Sequence, residues 1–312
     1  MIDHFQVAKR PLSMVAGLVL FVAVGSVFAH AASQFPTLTG DYLGQKPPGD
    51  RAALFAPGIV STGLLTRDVA MTPDGNEFYF CVAVGEYSYS AILVSKRIDG
   101  RWTEPEVAPF SANPDWAFLE PAISPDGQRF FFLSDRPEGD EEPGDRDIWV
   151  MDRQGDNWGE PYNLGPPVNS GAPEYFPSVT YDGTLYFTRS DPETRIDTIW
   201  RSRLVDGEYQ ASELLGETVN SGRTRFNAFI APDESYLIVP TYGRDDSFGA
   251  TDYYICFRDE HDNWTGPFNM GDQVNSENGA EYSPYVSPDG KYFFFMSGRT
   301  GAAEDDPPAS YA

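Results

Sequence analysis

Five times along the chain, the same alternation of apolar and polar positions recurs around a polar turn. "EYSPYVSPDGKYFFFMSGR" at 281–299 is one copy. The others are "EYFPSVTYDGTLYFTRS" from Glu174, "LEPAISPDGQRFFFLSDR" from Leu119, "RDVAMTPDGNEFYFCVA" from Arg67 and a worn version, "NAFIAPDESYLIVPTYGR", from Asn227. Each copy opens with a short run such as "FPSVT", turns at Pro-Asp-Gly or a variant, and continues in an aromatic run such as "RFFFLS". An Asp-Gly between two apolar runs predicts a hairpin, because glycine accepts the positive φ that a tight turn needs. A variable polar loop follows, then a third run ("SAILVSKRI", "RDIWVMDR", "DTIWRSRL", "TDYYICFRD"). A second turn then leads into "GRWTEPEVAPF", "DNWGEPYNLGPPVNS", "GEYQASELLGETVNS" or "DNWTGPFNMGDQVNS". The pattern predicts four short strands per unit and no helix between them, with aromatic and β-branched residues in the runs and Gly and Pro in the turns.

The turn aspartates Asp74, Asp126, Asp182, Asp233 and Asp289 are 52, 56, 51 and 56 residues apart. A period near 50 built from four strands predicts radial blades. The expected fold is all-β: a five-bladed β-propeller of four-stranded antiparallel blades. The fifth unit has only its first two strands. Leu54 to Thr62, which lines up with "PYNLGPPVNS", is expected to be an outer strand that completes the last blade and closes the ring. Closure would remove an exposed sheet edge. Trp102, Trp158, Tyr209 and Trp264 recur at one repeat position, as core aromatics between neighbouring sheets should.

The order P-x-x-S-P-D-G, aromatic run, S-x-R, polar loop and D-I-W is complete at Glu120–Trp149, "EPAISPDGQRFFFLSDRPEGDEEPGDRDIW". It resembles the bacterial WD40-like propeller repeat called PD40, the repeat of TolB-like propellers, over about residues 52–300. Kelch and true WD40 repeats fit less well, for want of a Gly-Gly pair or a Trp-Asp signature. The resemblance implies a binding scaffold, a part of an envelope complex or an appendage to an enzyme. It identifies a repeat rather than an activity.

Lys9 and Arg10 precede an apolar stretch at 12–28, and "AHA" at 29–31 supplies a small-x-small cleavage pattern. Residues 1–31 therefore read as a secretory signal, with a retained anchor as the alternative. Residues 32–51 read as a linker and 52–312 as a single propeller domain, placed in the periplasm or outside the cell. The chain carries 22 Lys+Arg against 47 Asp+Glu, a net charge of −25. Such a surface repels nucleic acid and anionic lipid. The expected state is a monomer with no membrane insertion once the signal is removed. Two cysteines, Cys81 and Cys256, exclude a disulfide framework and read as buried thiols. His261 is the single histidine beyond residue 31, in the polar turn "RDEHDNW". One histidine cannot build a His-rich zinc site. The chain has no G-x-S-x-G, Cys-His pair or phosphate loop.

In up-and-down blades, the short turns lie on one face and the variable loops on the other, where binding residues are expected. Residues ahead of each first strand should ring the axis: Trp116 and Glu120, Glu174 and Tyr175, Arg225 and Phe226, Glu281 and Tyr282, with Arg136 and Arg299 nearby. Such a funnel suits a polar or carbohydrate ligand. The structural alternative is that Glu174 and Glu281, at one repeat position, hold the blades together or pair with Arg136, Arg244 and Arg299. The expected function is a non-enzymatic binding or scaffold propeller of the cell envelope with a protein or polar ligand. A glycan-active hydrolase using Glu120, Glu174 and Glu281 is the alternative, and needs two carboxyls roughly 5–9 Å apart. A lactonase-type Ca²⁺ enzyme using Glu174, Asn227 and Glu281 ranks third. No cofactor is expected. Ca²⁺ on Asp140, Glu142, Asp145 and Asp147 is the one metal candidate, on a spacing unlike D-x-D-x-D-G.

Overall fold

The computed structural model describes residues 35–298, apart from 50, 86, 139–143 and 278. From Thr37 onward the chain forms one compact unit. Its strands gather into successive antiparallel sheets in a propeller-like arrangement with four blades. Blade 1 comprises Leu65–Met71, Glu77–Val84, Tyr89–Ile98 and Glu106–Val107. Blade 2 comprises Phe118–Ile123, Arg129–Ser134, Asp147–Gln154 and Tyr162–Asn163. Blade 3 comprises Glu174–Val179, Leu185–Ser190, Asp197–Ser202 and Glu213–Leu214. In blade 4 the inner strand is split into Thr224–Arg225 and Phe229–Ile230, followed by Tyr236–Tyr242, Thr251–Arg258 and Trp264–Asn269. Two strands, Tyr282–Val286 and Phe293–Met296, form a last sheet.

The repeated sequence phrases are local hydrogen-bonding devices. In the turns, the Asp74 carboxylate accepts from the Thr72 hydroxyl and the Asn76 N–H, and Asp126, Asp182 and Asp289 do the same two residues either side. The worn copy keeps its turn with Glu234 at φ 58° where the others have glycine. The "VNS" asparagines clamp the third strands. Asn169, Asn220 and Asn275 each accept from and donate to one backbone position, Ile148, Ile199 and Tyr253 respectively. Ser111 serves Ile92 in the same way in blade 1.

The aromatic second strands are buried on both sides, which is why they read as continuous apolar runs. Phe130 and Phe132 pack towards blade 1, while Phe131 between them packs towards blade 3. Further clusters lie between blades 3 and 4, and between blade 4 and the last sheet. A final cluster joins Met71, Phe78 and Phe80 of blade 1 to Tyr285 and Phe294 of the last sheet.

The expected outer strand at 54–62 is not formed. That stretch makes only an isolated bridge between Pro57 and Ser61. Ala56 and Gly58 take positive φ, which breaks extended pairing. The segment instead fills the seam between blade 1 and the last sheet with side chains. Phe55 stacks on Phe78 at 5.1 Å and meets Phe294 edge-on at 5.0 Å. Part of the expected linker joins it. Leu43 is fully buried, Trp102 Nε1 donates to the Gly40 carbonyl at 2.8 Å, and Tyr42 Oη donates to Asp289 at 2.6 Å. Residues 299–312, beyond the second strand of the last unit, and the apolar stretch at 12–28 lie outside the described residues. Among those described, no helix is long and apolar enough to cross a membrane. Cys81 and Cys256 are buried and unpaired, and His261 is exposed.

Candidate functional site

The inner strands share a feature that the sequence alignment does not display. Each has one residue in the left-handed region, six positions ahead of its turn aspartate: Asp68 (φ 52°), Glu120 (58°), Phe176 (52°), Asn227 (50°) and Ser283 (60°). The register slips at this point in blades 1, 2 and 3 and in the last sheet, and the inner strand of blade 4 is interrupted there. Non-glycine residues adopt this conformation rarely. Its repetition means that the bulge is built into the unit, and it re-aims one side chain per inner strand. Proline follows the bulge in three of the five (Pro121, Pro177 and Pro284). An inner edge strand at a bulge can lose an N–H without losing a ladder bond.

Four of these five residues meet in one buried polar network with Arg67. Arg67 Nε donates to Asp68 at 2.7 Å, Nη2 to Glu120 at 2.8 Å and Nη1 to Tyr87 Oη at 3.1 Å. The other Glu120 oxygen accepts from the Phe176 N–H at 2.7 Å, and Asn227 Nδ2 donates to Glu120 at 3.1 Å. The Ser283 hydroxyl donates to Asp68. Arg67 also lies over the Tyr282 ring at 4.9 Å. Burial pushes the Glu120 carboxyl up to about 7, against the opposing pull of Arg67. Arg67 is held above its ordinary range: burial works against the charge, and Asp68 and Glu120 outweigh it. The neighbouring Asp68 carboxylate adds to the rise in Glu120, because two like charges then share one guanidinium.

One side of this network faces a cavity of about 370 Å³. All five inner strands contribute to its wall, and so do all five Pro-Asp-Gly-type turns, so it opens on the short-turn face. Pro121, Pro177, Pro284, Phe176, Phe229 and Tyr285 line it, with Tyr181 at its mouth 73% exposed. Largely apolar walls over a polar floor already satisfied by protein, with Asp233 as the one turn aspartate in the lining, make this a cup for an apolar group. It is not a pocket with a free acid and base.

The residues expected at the axis divide into two sets. Glu120 lies at the centre. Tyr282 stacks on Arg67, and Tyr175 and Phe226 are half-buried. Glu174 and Glu281 are fully buried and turned into the blades. Glu174 accepts from the Ser170 N–H and hydroxyl and from Arg189 Nε. Glu281 accepts from Ser276 and Ser297. Both belong to the loop-fastening machinery, and neither meets Glu120 in any hydrogen bond. Arg225, at the same repeat position, is 7% exposed and donates to Asn220 Oδ1 at 3.1 Å. Burial lowers its pKa. Arg136 lies between Trp116 and Trp149, 5.2 and 4.7 Å from their rings. Arg244 pairs with Asp246 rather than with a repeat glutamate. Arg299, Asp140 and Glu142 lie outside the described residues. Asp145 is exposed, and Asp147 accepts from Asn163 at 2.7 Å. Among the described residues, no three His, Cys, Asp or Glu side chains converge as metal ligands would.

Arg67, Asp68, Tyr87 and Ser283 were not singled out from the sequence. The signal available was the position six before each turn aspartate, which holds five different residues in five copies. A position that varies inside a conserved phrase is where one scaffold can carry a particular chemistry.

No protein-family model matches the chain, and no curated protein does. Among solved structures, TolB from Acinetobacter baumannii is similar at 16% identity and a TM-score of 0.45, over 74% of this chain and 48% of that protein. The chain thus spans about half of that protein's length. A putative TolB from Agrobacterium tumefaciens is similar at 18% identity and a TM-score of 0.42, over 76% of this chain and 90% of that one. The periplasmic gluconolactonase PpgL of Pseudomonas aeruginosa is similar at 11% identity and a TM-score of 0.43, over 74% and 64%.

Proposed function

We propose that this chain is an exported, non-enzymatic binding propeller of the cell envelope. Its five blades form a ring closed at the seam between blade 1 and the last sheet, and it receives an apolar segment of a partner polypeptide in the axial cup. Five inner strands with one shared bulge support the five-bladed ring. Lys9, Arg10, the apolar stretch at 12–28 and "AHA" support export.

The observation that carries the binding reading is the state of the carboxylates. Glu120 accepts from Arg67, Asn227 and the Phe176 N–H, and Asp68 accepts from Arg67 and Ser283. Glu174 is held by Ser170 and Arg189. A hydrolase needs a carboxyl that reaches substrate. The cup instead offers proline and aromatic surface with Asp233 in its wall, on a chain of net charge −25. An apolar segment flanked by Lys or Arg complements it in shape and charge.

The test measures the affinity of the full chain for peptides with an aromatic-proline centre and basic flanks, with the thermal midpoint as a second readout. Binding should weaken with added salt and fall about 10-fold in Tyr181→Ala, an exposed rim substitution. Hydrolysis of glycan or lactone substrates that disappears in Glu120→Gln would overturn the non-enzymatic reading. Peptide affinity indifferent to Tyr181→Ala would remove the cup from it.

A further inference from the structure

On the loop-rich face of blade 2, away from the cup, three buried polar atoms lack partners. They are Arg136 Nε, Trp149 Nε1 and Asp147 Oδ1. The Arg136 guanidinium lies 4.7 Å from the Trp149 ring and 5.2 Å from the Trp116 ring. Asp147 is two residues before Trp149 on one strand, so both side chains leave the same face. It pairs in register with Ser134, whose hydroxyl accepts the Arg136 N–H at 3.2 Å. Trp149 is 3% exposed. Unpaired buried polar groups are costly, so each such group calls for an explanation.

The sister blades show what blade 2 lacks. In blade 3, Arg189 stacks on Trp200 at 4.4 Å and gives its Nε to Glu174, while Trp200 Nε1 donates to Thr198. In blade 4, Arg244 stacks on Tyr254 at 4.8 Å and pairs with Asp246, and Asp252 accepts from the Phe248 and Gly249 N–H groups. In blade 2 the position of Glu174 is taken by Phe118, and among the described residues no carboxylate lies within ion-pair distance of Arg136. Burial lowers the Arg136 pKa, and Glu160 is the one carboxylate whose charge counters this. The repeat keeps the arginine and its aromatic shelf while the internal anion is gone.

We infer that blade 2 holds a sugar-acid site, in which the ligand's carboxylate takes the donors of Arg136 and Trp149 and a ring hydroxyl donates to Asp147. A guanidinium held between two indoles presents a planar fork suited to a carboxylate. A lone anion would leave Asp147 unserved, whereas a uronate carries both an acceptor and a hydroxyl donor on one rigid ring. The partly exposed Trp116 adds apolar surface for that ring. This site is independent of the axial cup, so failure of either leaves the other standing.

The test titrates the full chain, as purified after expression, with galacturonate and glucuronate and with their di- and trimers. Calorimetry gives affinity, and tryptophan fluorescence reports Trp116 and Trp149. Uronates should bind and quench. Arg136→Gln should weaken binding about 10- to 100-fold and Asp147→Asn about 10-fold, given the strength of charged hydrogen bonds. Both variants should keep the parent's urea midpoint to within a small shift, and Arg136→Lys should recover only part of the loss. Galactose binding as tightly as galacturonate, or acetate binding as tightly as either, would overturn the sugar-acid assignment. So would uronate affinity unchanged in Arg136→Gln, no uronate binding at all, or binding confined to peptides with a free C-terminal carboxylate.

Discussion

Replacing Glu120 by glutamine should erase a specific piece of the protein's pH dependence. Burial raises this carboxyl from 4.5 to about 7 in the folded chain. The folded state therefore binds a proton more tightly than the unfolded state. Between pH 4.5 and 7 the native protein holds more protons than the unfolded chain, so stability falls as pH rises through that window. A difference of about 2.5 units at about 1.4 kcal/mol each corresponds to about 3 kcal/mol, fully lost above pH 7. Glutamine keeps an acceptor for Arg67 and does not titrate. Urea unfolding followed by tryptophan fluorescence gives the unfolding free energy of both proteins at pH 4.5, 6 and 8. Other titrating groups are common to the two and cancel in the difference. The stability of Glu120→Gln minus that of the parent should rise by about 3 kcal/mol from pH 4.5 to 8. Parallel profiles, with a difference constant to about 0.5 kcal/mol, would refute the argument that the axial network holds one reluctantly ionised carboxyl.

Three further outcomes test the fold and its rim. Asn220→Ala removes an acceptor for the Ile199 N–H and donors to the Ile199 and Leu215 carbonyls, and should cost about 2–3 kcal/mol in urea unfolding. Asp262 accepts from Arg201, Arg258 and Arg203, and these hydrogen bonds hold its pKa below the ordinary carboxylate range. Its contribution is fully present above the unfolded value near 3.8 and is lost as pH falls through the lower folded value, so Asp262→Asn should cost about 1 kcal/mol at pH 7, allowing for its partial exposure, and progressively less as pH falls below 4. Cys81 and Cys256 are fully buried, and burial pushes the Cys256 thiol up to about 12, so an aromatic disulfide reagent at pH 8 should label neither in the native protein and both in urea.

Much of the fold was legible because its signals are local. The Asp126 turn needs only Ser124, Gly127 and Gln128 beside it, and the Phe130–Phe132 run needs only a sheet on either side. The seam was not legible. Leu54 to Thr62 matches an outer-strand phrase, but its Pro57 and Gly58 favour turns, and Phe55 is held by Phe78 and Phe294 from opposite ends of the chain.

The same division runs through the site. The repeat period by itself determined the strand count per unit and the place of each turn, because each acts on partners at fixed sequence distance. Only the tertiary structure decided that Arg67, Asp68, Glu120, Asn227 and Ser283 share one network, since they come from four separate inner strands. It also decided that Arg136 keeps its tryptophans without a carboxylate. A side chain's partner across a ring depends on how the blades close around the axis. That is set by the packing of whole sheets, which no single repeat encodes.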